Sequence, residues 1–157
     1  MLFVFLQMKS PSAIILAAGQ GTRMRSRTPK MLHKICGREM LGLVAETALH
    51  SGLSPVVAVL PPVLEPYIQA LDDSVSYVVQ KKPLGTGHAA LQAREKLLSV
   101  GSIVILCGDV PLIRSETIQA LVKKHTETDA TLTLLTSTST PPDGLGRIVR
   151  SANGRVR

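Results

Sequence analysis

A run of small and β-branched apolar residues, Ala13-Ile14-Ile15-Leu16-Ala17-Ala18, passes without a polar break into Gly19-Gln20-Gly21-Thr22-Arg23-Met24, and this junction constrains the fold more than any other segment. An apolar run of strand length with no alternation belongs to a strand buried on both faces. The glycines after it permit dihedrals that a Cβ forbids and let backbone N–H groups approach a ligand closely. Arg23, and Lys30 after Pro29, place cations beside the turn. A guanidinium grips phosphate oxygens bidentately and an ammonium supplies a point charge, so such a loop suits a polyphosphate. It is not the Gly-x-Gly-x-x-Gly pattern, since position 24 is Met, and it lacks the Gly-Lys-Ser/Thr of a P-loop. Taken alone, a plain glycine turn with Arg23 and Lys30 merely solvated stays open.

The same apolar signature recurs. Residues 13–16, 56–60, 75–79, 103–107 and 130–135 are β-branched-rich runs of strand length, and 147–150 begins another. Between them, residues 40–51, 63–71, 86–98 and 115–125 carry helical spacing with turn residues at their ends. The first helix groups Leu43, Val44, Thr47 and Ala48 and stops at Gly52. The fourth opens on Ser115 as N-cap and buries Ile118, Leu121 and Val122. Continuous apolar strands separated by helices give an α/β fold in three layers, a mostly parallel sheet covered on both faces, with ligands bound at the carboxyl ends of the strands. Asn153-Gly154 signals a hairpin whose second strand is barely begun, so residues 12–157 read as the first part of a domain that is incomplete at its C-terminus. Residues 1–11 read as an N-terminal extension, with Met8 an alternative start. Their apolar run is too short to span a bilayer and lacks the basic n-region and cleavage site of a signal peptide.

Charge is concentrated. Residues 1–38 hold Lys9, Arg23, Arg25, Arg27, Lys30, Lys34 and Arg38 and no acid, whereas eleven basic and eleven acidic residues follow, so the formal charge of +7 sits around the glycine loop. A focused positive field concentrates anionic ligands. A nucleic-acid surface is the competing reading, but the chain has no Trp, and its aromatic residues Phe3, Phe5, Tyr67 and Tyr77 do not interleave with the basic cluster. Cys36 and Cys107 are far apart and lack metal-ligand spacing, which favours a reduced, cytoplasmic setting with both thiols as small buried fillers.

Two further constellations carry chemistry. In Gln80-Lys-Lys-Pro-Leu-Gly-Thr-Gly-His88, Gln80 offers a donor and an acceptor to a base edge, and Thr86 offers a hydroxyl and an amide at a helix start. His88, on the first helical turn, reads as a structural hydrogen bonder rather than a catalyst. In Ile103-Val-Ile-Leu-Cys107-Gly108-Asp109, a buried strand ends in a carboxylate that would face the ligand crevice. It suits Mg²⁺, which takes one or two carboxylates plus substrate phosphates; an Asx-turn ahead of Pro111 is the alternative.

Together these motifs resemble the sugar-1-phosphate nucleotidyltransferases. Leu16-Ala-Ala-Gly-x-Gly-Thr-Arg-Met, Pro29-Lys-x-Leu-His33-x-Ile35-x-Gly37, Pro83-Leu-Gly-Thr-Gly-His-Ala and Gly108-Asp-Val-Pro-Leu are most similar to the N-terminal pyrophosphorylase domain of the bacterial GlmU family, over residues 12–157. The resemblance implies a Rossmann-like nucleotidyltransferase domain in which UTP and N-acetylglucosamine 1-phosphate yield UDP-N-acetylglucosamine and pyrophosphate. Leu16, Ala17, Ala18, Gly19 and Gly21 would hold the nucleotide through backbone groups, and Gln80, Gly85 and Thr86 would read uracil. Arg23 and Lys30 would be catalytic cations, Asp109 would bind Mg²⁺ beside Cys107 and Gly108, and Gly146 would lie next to the amino sugar. Cys107 stands where the family usually carries Tyr or another residue. The family continues with further sugar-pocket and metal-binding residues and a trimerising acetyltransferase β-helix beyond Arg157. The chain is therefore expected to bind UTP weakly with little turnover, its parent to be a homotrimer, and neither nucleic acid nor membrane to be a partner. Other sugar-phosphate or cytidylyl transferases are the alternative, and a basic nucleic-acid-binding module a distant one.

Overall fold

The computed structural model describes residues 10–19, 21, 24–70, 72–97, 101–138, 146–152, 154 and 156. Four strands, β1 (Ser12–Leu16), β4 (Val56–Leu60), β5 (Val75–Val79) and β6 (Ile103–Cys107), form one parallel sheet in the order β5-β4-β1-β6. The two intervening strands, β2 (Lys34–Ile35) and β3 (Arg38–Glu39), pair as a small antiparallel hairpin. From β1 the chain passes outward to β4 and β5 and then returns to β1's other side as β6. The strand order reverses at β1, and a crevice opens where the carboxyl ends of β1 and β6 diverge into different loops.

Alternate residues of β1 and β4 supply two cores. Ala13, Ile15, Val56, Ala58 and Leu60 face α1 (Met40–His50) and Ile118 of α3 (Ser115–Thr128). Ile14, Val57 and Val59 face Ala89 and Ala93, at and just after α2 (Thr86–Gln92), together with Leu97. The expected cover on both faces holds for the centre of the sheet and fails at β6. There Val104 and Leu106 are buried while Ile103 and Ile105 are 46% and 55% exposed.

The four principal strands lie where the apolar runs place them, and several expectations need correction. Residues 130–135 form no strand, and Leu132, Leu134 and Leu135 are exposed. A strand exists only as part of a ladder, and among the described residues nothing pairs with this run. The described part of the expected helix over 63–71 is not α-helical but a 3-10 segment, Pro62–Ala70, with Pro66 inside it, where proline supplies no N–H for an α-helical bond. The third helical stretch gives α2 and then a separate 3-10 turn, Arg94–Leu97. Helix α3 runs on to Thr128, where Asp129 turns left-handed at φ 45°; its N-cap is Arg114, not Ser115. In α1 the buried stripe is Leu41, Val44, Ala45 and Ala48, rotated from the expected one. Its end at Gly52 is a Schellman motif: Gly52 (φ 79°) donates to Leu49 O and Leu53 to Ala48 O.

Neither cysteine is buried. Cys36 (φ 50°) and Gly37 (φ 83°) are the two loop residues of the β2–β3 hairpin, a turn that needs positive φ at both positions. The terminal hairpin signal is realised as a single antiparallel bridge, Arg150 with Val156, around Gly154. The N-terminal extension through Lys9 lies outside the described residues, and no helix among those described is long and apolar enough to cross a membrane.

Candidate active site

The crevice at the reversal point is a pocket of about 460 Å³, within the range that holds a small organic ligand. Ten of the residues anticipated for the site line it: Leu16, Ala18, Gly19, Gly21 and Lys30 on the β1 side, Gln80, Gly85 and Thr86 at the approach to α2, and Cys107 and Asp109 at the end of β6. Met24, Met31, Pro83 and Ala89 also line it. Sequence reasoning passed over these because their chemistry is apolar; their only signal was position inside the glycine-loop and Gly-Thr-Gly motifs.

Two anticipated binding residues build the pocket without lining it. Ala17 is fully buried and its N–H donates to Val59 O at 2.9 Å, so that amide is not available to a phosphate. Gly108 donates to Leu16 O at 2.9 Å, tying the ends of β1 and β6 together. A Cβ there would stand 3.1 Å from that oxygen and 3.2 Å from Ala17 Cβ and Met31 Sδ. A side chain there would require these neighbours to give by a few tenths of an ångström, so glycine suits the close meeting of the two strand ends. Gly146 is exposed and is not among the lining residues. Arg23 lies outside the described residues, as do Gln20 and Thr22.

Lys30 begins a 3-10 turn, Lys30–Leu32, after Pro29. Its ammonium donates to Asp109 Oδ2 at 2.6 Å, joining the glycine loop to the end of β6 across the pocket. Gly21 makes this possible: it adopts φ 61°, and a Cβ on it would lie 2.8 Å from Lys30 Cβ. The Cys107 side chain is exposed in part, and the partial desolvation of its thiol at the end of β6 and, secondly, the charge of Asp109 push it above the ordinary thiol range, so it stays protonated at neutral pH. The field around the loop is weaker than the charge count implied. Lys34 pairs with Glu39 and Arg38 with Glu46, each away from the crevice.

On the opposite wall, Gln80 is buried, with its amide nitrogen 2.8 Å from His88 Nδ1 and 3.4 Å from Gly85 O. Gly85 (φ 100°) turns the chain into α2, whose first turn begins at Thr86. The pocket therefore has one wall of paired charges beneath a glycine loop and another of amide groups. No cluster of three or more metal-ligating side chains occurs among the described residues. Asp109 alone suits a divalent cation that takes one carboxylate and completes its shell with substrate phosphates and water.

Residues 13–149 match the family model of the MobA-like NTP transferase domain. The chain belongs to that family. This NTP transferase domain is 43% identical over 146 residues to the bifunctional protein GlmU of Bacillus subtilis (strain 168), covering 92% of this chain and 32% of that protein. It is 46% identical over 144 residues to the bifunctional protein GlmU of Alkaliphilus oremlandii (strain OhILAs), covering 92% and 31%. The chain thus spans about a third of the length of the curated relatives it matches. Among solved structures, a nucleotidyl transferase from Methanothermobacter thermautotroptrophicus shares the fold, with TM-score 0.61 at 21% identity over 73% of this chain and 57% of the other.

Proposed function

We propose that this NTP transferase domain is the nucleotide half of a uridylyltransferase that joins UTP to N-acetylglucosamine 1-phosphate, giving UDP-N-acetylglucosamine and pyrophosphate. The carrying observation is the Lys30–Asp109 pair at the strand-order reversal, beneath a glycine loop and facing Gln80, Gly85 and Thr86. The similarity to GlmU proteins supports the choice of nucleotide and sugar.

The reaction needs no protein nucleophile. A sugar-phosphate oxygen attacks the α-phosphorus in line, the bond to the β-phosphate oxygen breaks, and pyrophosphate leaves with that electron pair. Catalysis of this kind rests on positioning and on charge placed where charge develops. Lys30 supplies a cation within reach of the phosphates, and Gly19 and Gly21 let the backbone approach them with no Cβ at those two positions. Arg23 is the second cation of this proposal. Asp109 would hold Mg²⁺, which when bound would neutralise phosphate charge. Gln80, with Gly85 and Thr86, would receive the uracil edge, and Gly146 the amino sugar. The domain comprises residues 12–157, preceded by the extension 1–11. The whole protein would be a cytoplasmic homotrimer with an acetyltransferase portion, acting on small molecules rather than nucleic acid or membrane.

We expect the chain itself, which spans about a third of the length of the GlmU proteins it resembles, to bind UTP and turn over little. Calorimetric titration with UTP and MgCl₂, beside a pyrophosphate-release assay containing the sugar phosphate, tests this. Equal binding of all four nucleoside triphosphates would refute the uridine assignment, and robust turnover would refute the division into halves.

A further inference from the structure

Lys30 and Asp109 meet end to end across the pocket, and each is rooted in a fixed part of the fold. Lys30 precedes Met31, which is 4% exposed and packed in the core, and its stem runs along Gly21: Cβ, Cγ and Cδ all come within 3.6 Å of the place a Gly21 Cβ would take. Asp109 follows Gly108, whose N–H is bonded to Leu16 O, and sits in a turn closed by the Val110 N–H on Cys107 O at 3.2 Å. What is left to move is the two side-chain ends, partly exposed and joined by one contact of 2.6 Å. Among the described residues no other cation pairs with Asp109 and no other carboxylate pairs with Lys30.

That one contact engages the groups that both ligands need. A divalent cation takes carboxylate oxygen, and the ammonium already donates to Oδ2; a dication on either oxygen of the same carboxylate would face that ammonium as a like charge at short range. A phosphate calls for the ammonium, which is committed to the carboxylate. We propose that Lys30 and a divalent cation exchange at Asp109, the arrival of the cation releasing the ammonium from Oδ2 to the phosphates. The pair is then broken once for two ligands rather than once for each, so each ligand strengthens the binding of the other, and by the same factor, as linkage requires. Lys30 thus keeps the affinity of the chain for the cation alone low and couples its loading to that of the nucleotide. This inference rests on the reading of the crevice as a nucleotide site with a metal at Asp109.

The test titrates Mn²⁺ alone, read by electron paramagnetic resonance of the free ion, into the unsubstituted chain, Lys30→Met, Lys30→Arg, Lys34→Met and Asp109→Asn, each checked by thermal melting. Lys30→Met keeps the stem and removes the charge, and should bind Mn²⁺ about fivefold more tightly than the unsubstituted chain, the upper end of what a partly exposed ion pair contributes. Lys30→Arg, still able to pair with Asp109, should stay near the unsubstituted value. So should Lys34→Met, which removes the same charge from a pair outside the crevice. Asp109→Asn should lose the site. The release itself is read by ¹⁵N NMR of the lysine ammonium groups: the Lys30 signal should shift when Mg²⁺ is added to the unsubstituted chain and hold still in Asp109→Asn. Equal Mn²⁺ affinity in the unsubstituted chain and a normally melting Lys30→Met would overturn the exchange, as would a rise of the same size in Lys34→Met. A Lys30 signal that saturating Mg²⁺ leaves unmoved would overturn it in the unsubstituted chain alone, and Mn²⁺ binding unchanged in Asp109→Asn would overturn the metal assignment with it. Calorimetric titration of UTP separates the two readings: no UTP binding, with the Mn²⁺ and NMR results as expected, would refute the nucleotide site and leave the exchange at Asp109 standing.

Discussion

Gly19 and Gly21 flank the same turn, yet the structure gives them separable roles. A Cβ on Gly21 would stand 2.8 Å from Lys30 Cβ, where two carbons are at ease only at about 3.5–4.0 Å. The residue also adopts φ 61°, a conformation that costs an L-residue about 1–2 kcal/mol. Gly21→Ala should therefore destabilise the chain by about 2 kcal/mol, which for a domain of this size lowers the melting temperature by about 4–8 °C. Because the clash falls on the backbone-proximal part of Lys30, the ammonium should leave Asp109 and UTP affinity should fall about tenfold or more. Gly19 has nothing within 4 Å of its Cβ position and no positive φ. Gly19→Ala should leave melting within about 1 °C, as inconspicuous surface changes do, and still weaken UTP about tenfold, because the methyl occupies the space through which phosphate approaches the backbone. Differential scanning fluorimetry and calorimetric UTP titration read the two quantities independently. A Gly21→Ala chain that melts with the parent would refute the packing argument. A Gly19→Ala chain that binds UTP normally would refute the phosphate argument even with stability intact.

Other consequences are simpler. Lys30→Ala removes an ion pair whose side chains are 25% and 40% exposed, so denaturant melts should shift by under about 1 kcal/mol while UTP affinity drops at least about tenfold. Asp109→Asn should abolish the Mg²⁺ dependence of UTP binding in calorimetry and leave metal-free binding unchanged or stronger. Because the Cys107 thiol is held protonated in the fold, its alkylation by iodoacetamide, followed by mass spectrometry of the peptide, should be slow at pH 7 and accelerate only above the ordinary thiol range. The matching stabilisation is fully present below the thiol's unfolded value and is lost as pH rises through the raised folded value. Cys36→Asn, at φ 50° in the β2–β3 turn, should raise chemical stability by about 0.5–1 kcal/mol, since asparagine tolerates that conformation better.

Which parts of this molecule could be read from its sequence follows from where the information lies. The parallel strands were legible because each is a run with no polar break, and such a run has few other destinations than a doubly covered sheet. The glycine loop, Gln80, Gly85, Thr86 and Asp109 were legible as a site because each follows such a run, and a parallel sheet delivers all carboxyl ends to one edge. Residues 130–135 failed for the complementary reason: Thr131 to Leu135 has the composition of a strand, but composition does not supply the ladder partner that makes one. The conformation of Cys36 was hidden because a non-glycine at positive φ leaves little trace in residue type, although Gly37 beside it was a hint.

Ala17 and Gly108 show a finer limit. Both stand inside motifs that resemblance assigns to ligand binding, yet Ala17 spends its amide on Val59 and Gly108 spends its missing side chain on Leu16, Ala17 and Met31. A motif records every residue the site requires, whether it touches the ligand or brings two strand ends together, and sequence does not separate these demands. Geometry does: a Cβ at Gly108 would press on Leu16 O at 3.1 Å, whereas one at Gly19 would meet open space. The same distinction applies to His88, which the motif carries beside Thr86 and which meets Gln80 rather than appearing among the pocket-lining residues. Its place in the Gly-Thr-Gly-His run follows from helical spacing. Residue 88 sits three positions after Gly85, on the first turn of α2, and from there its ring reaches back to the residue that ends the β5 crossover.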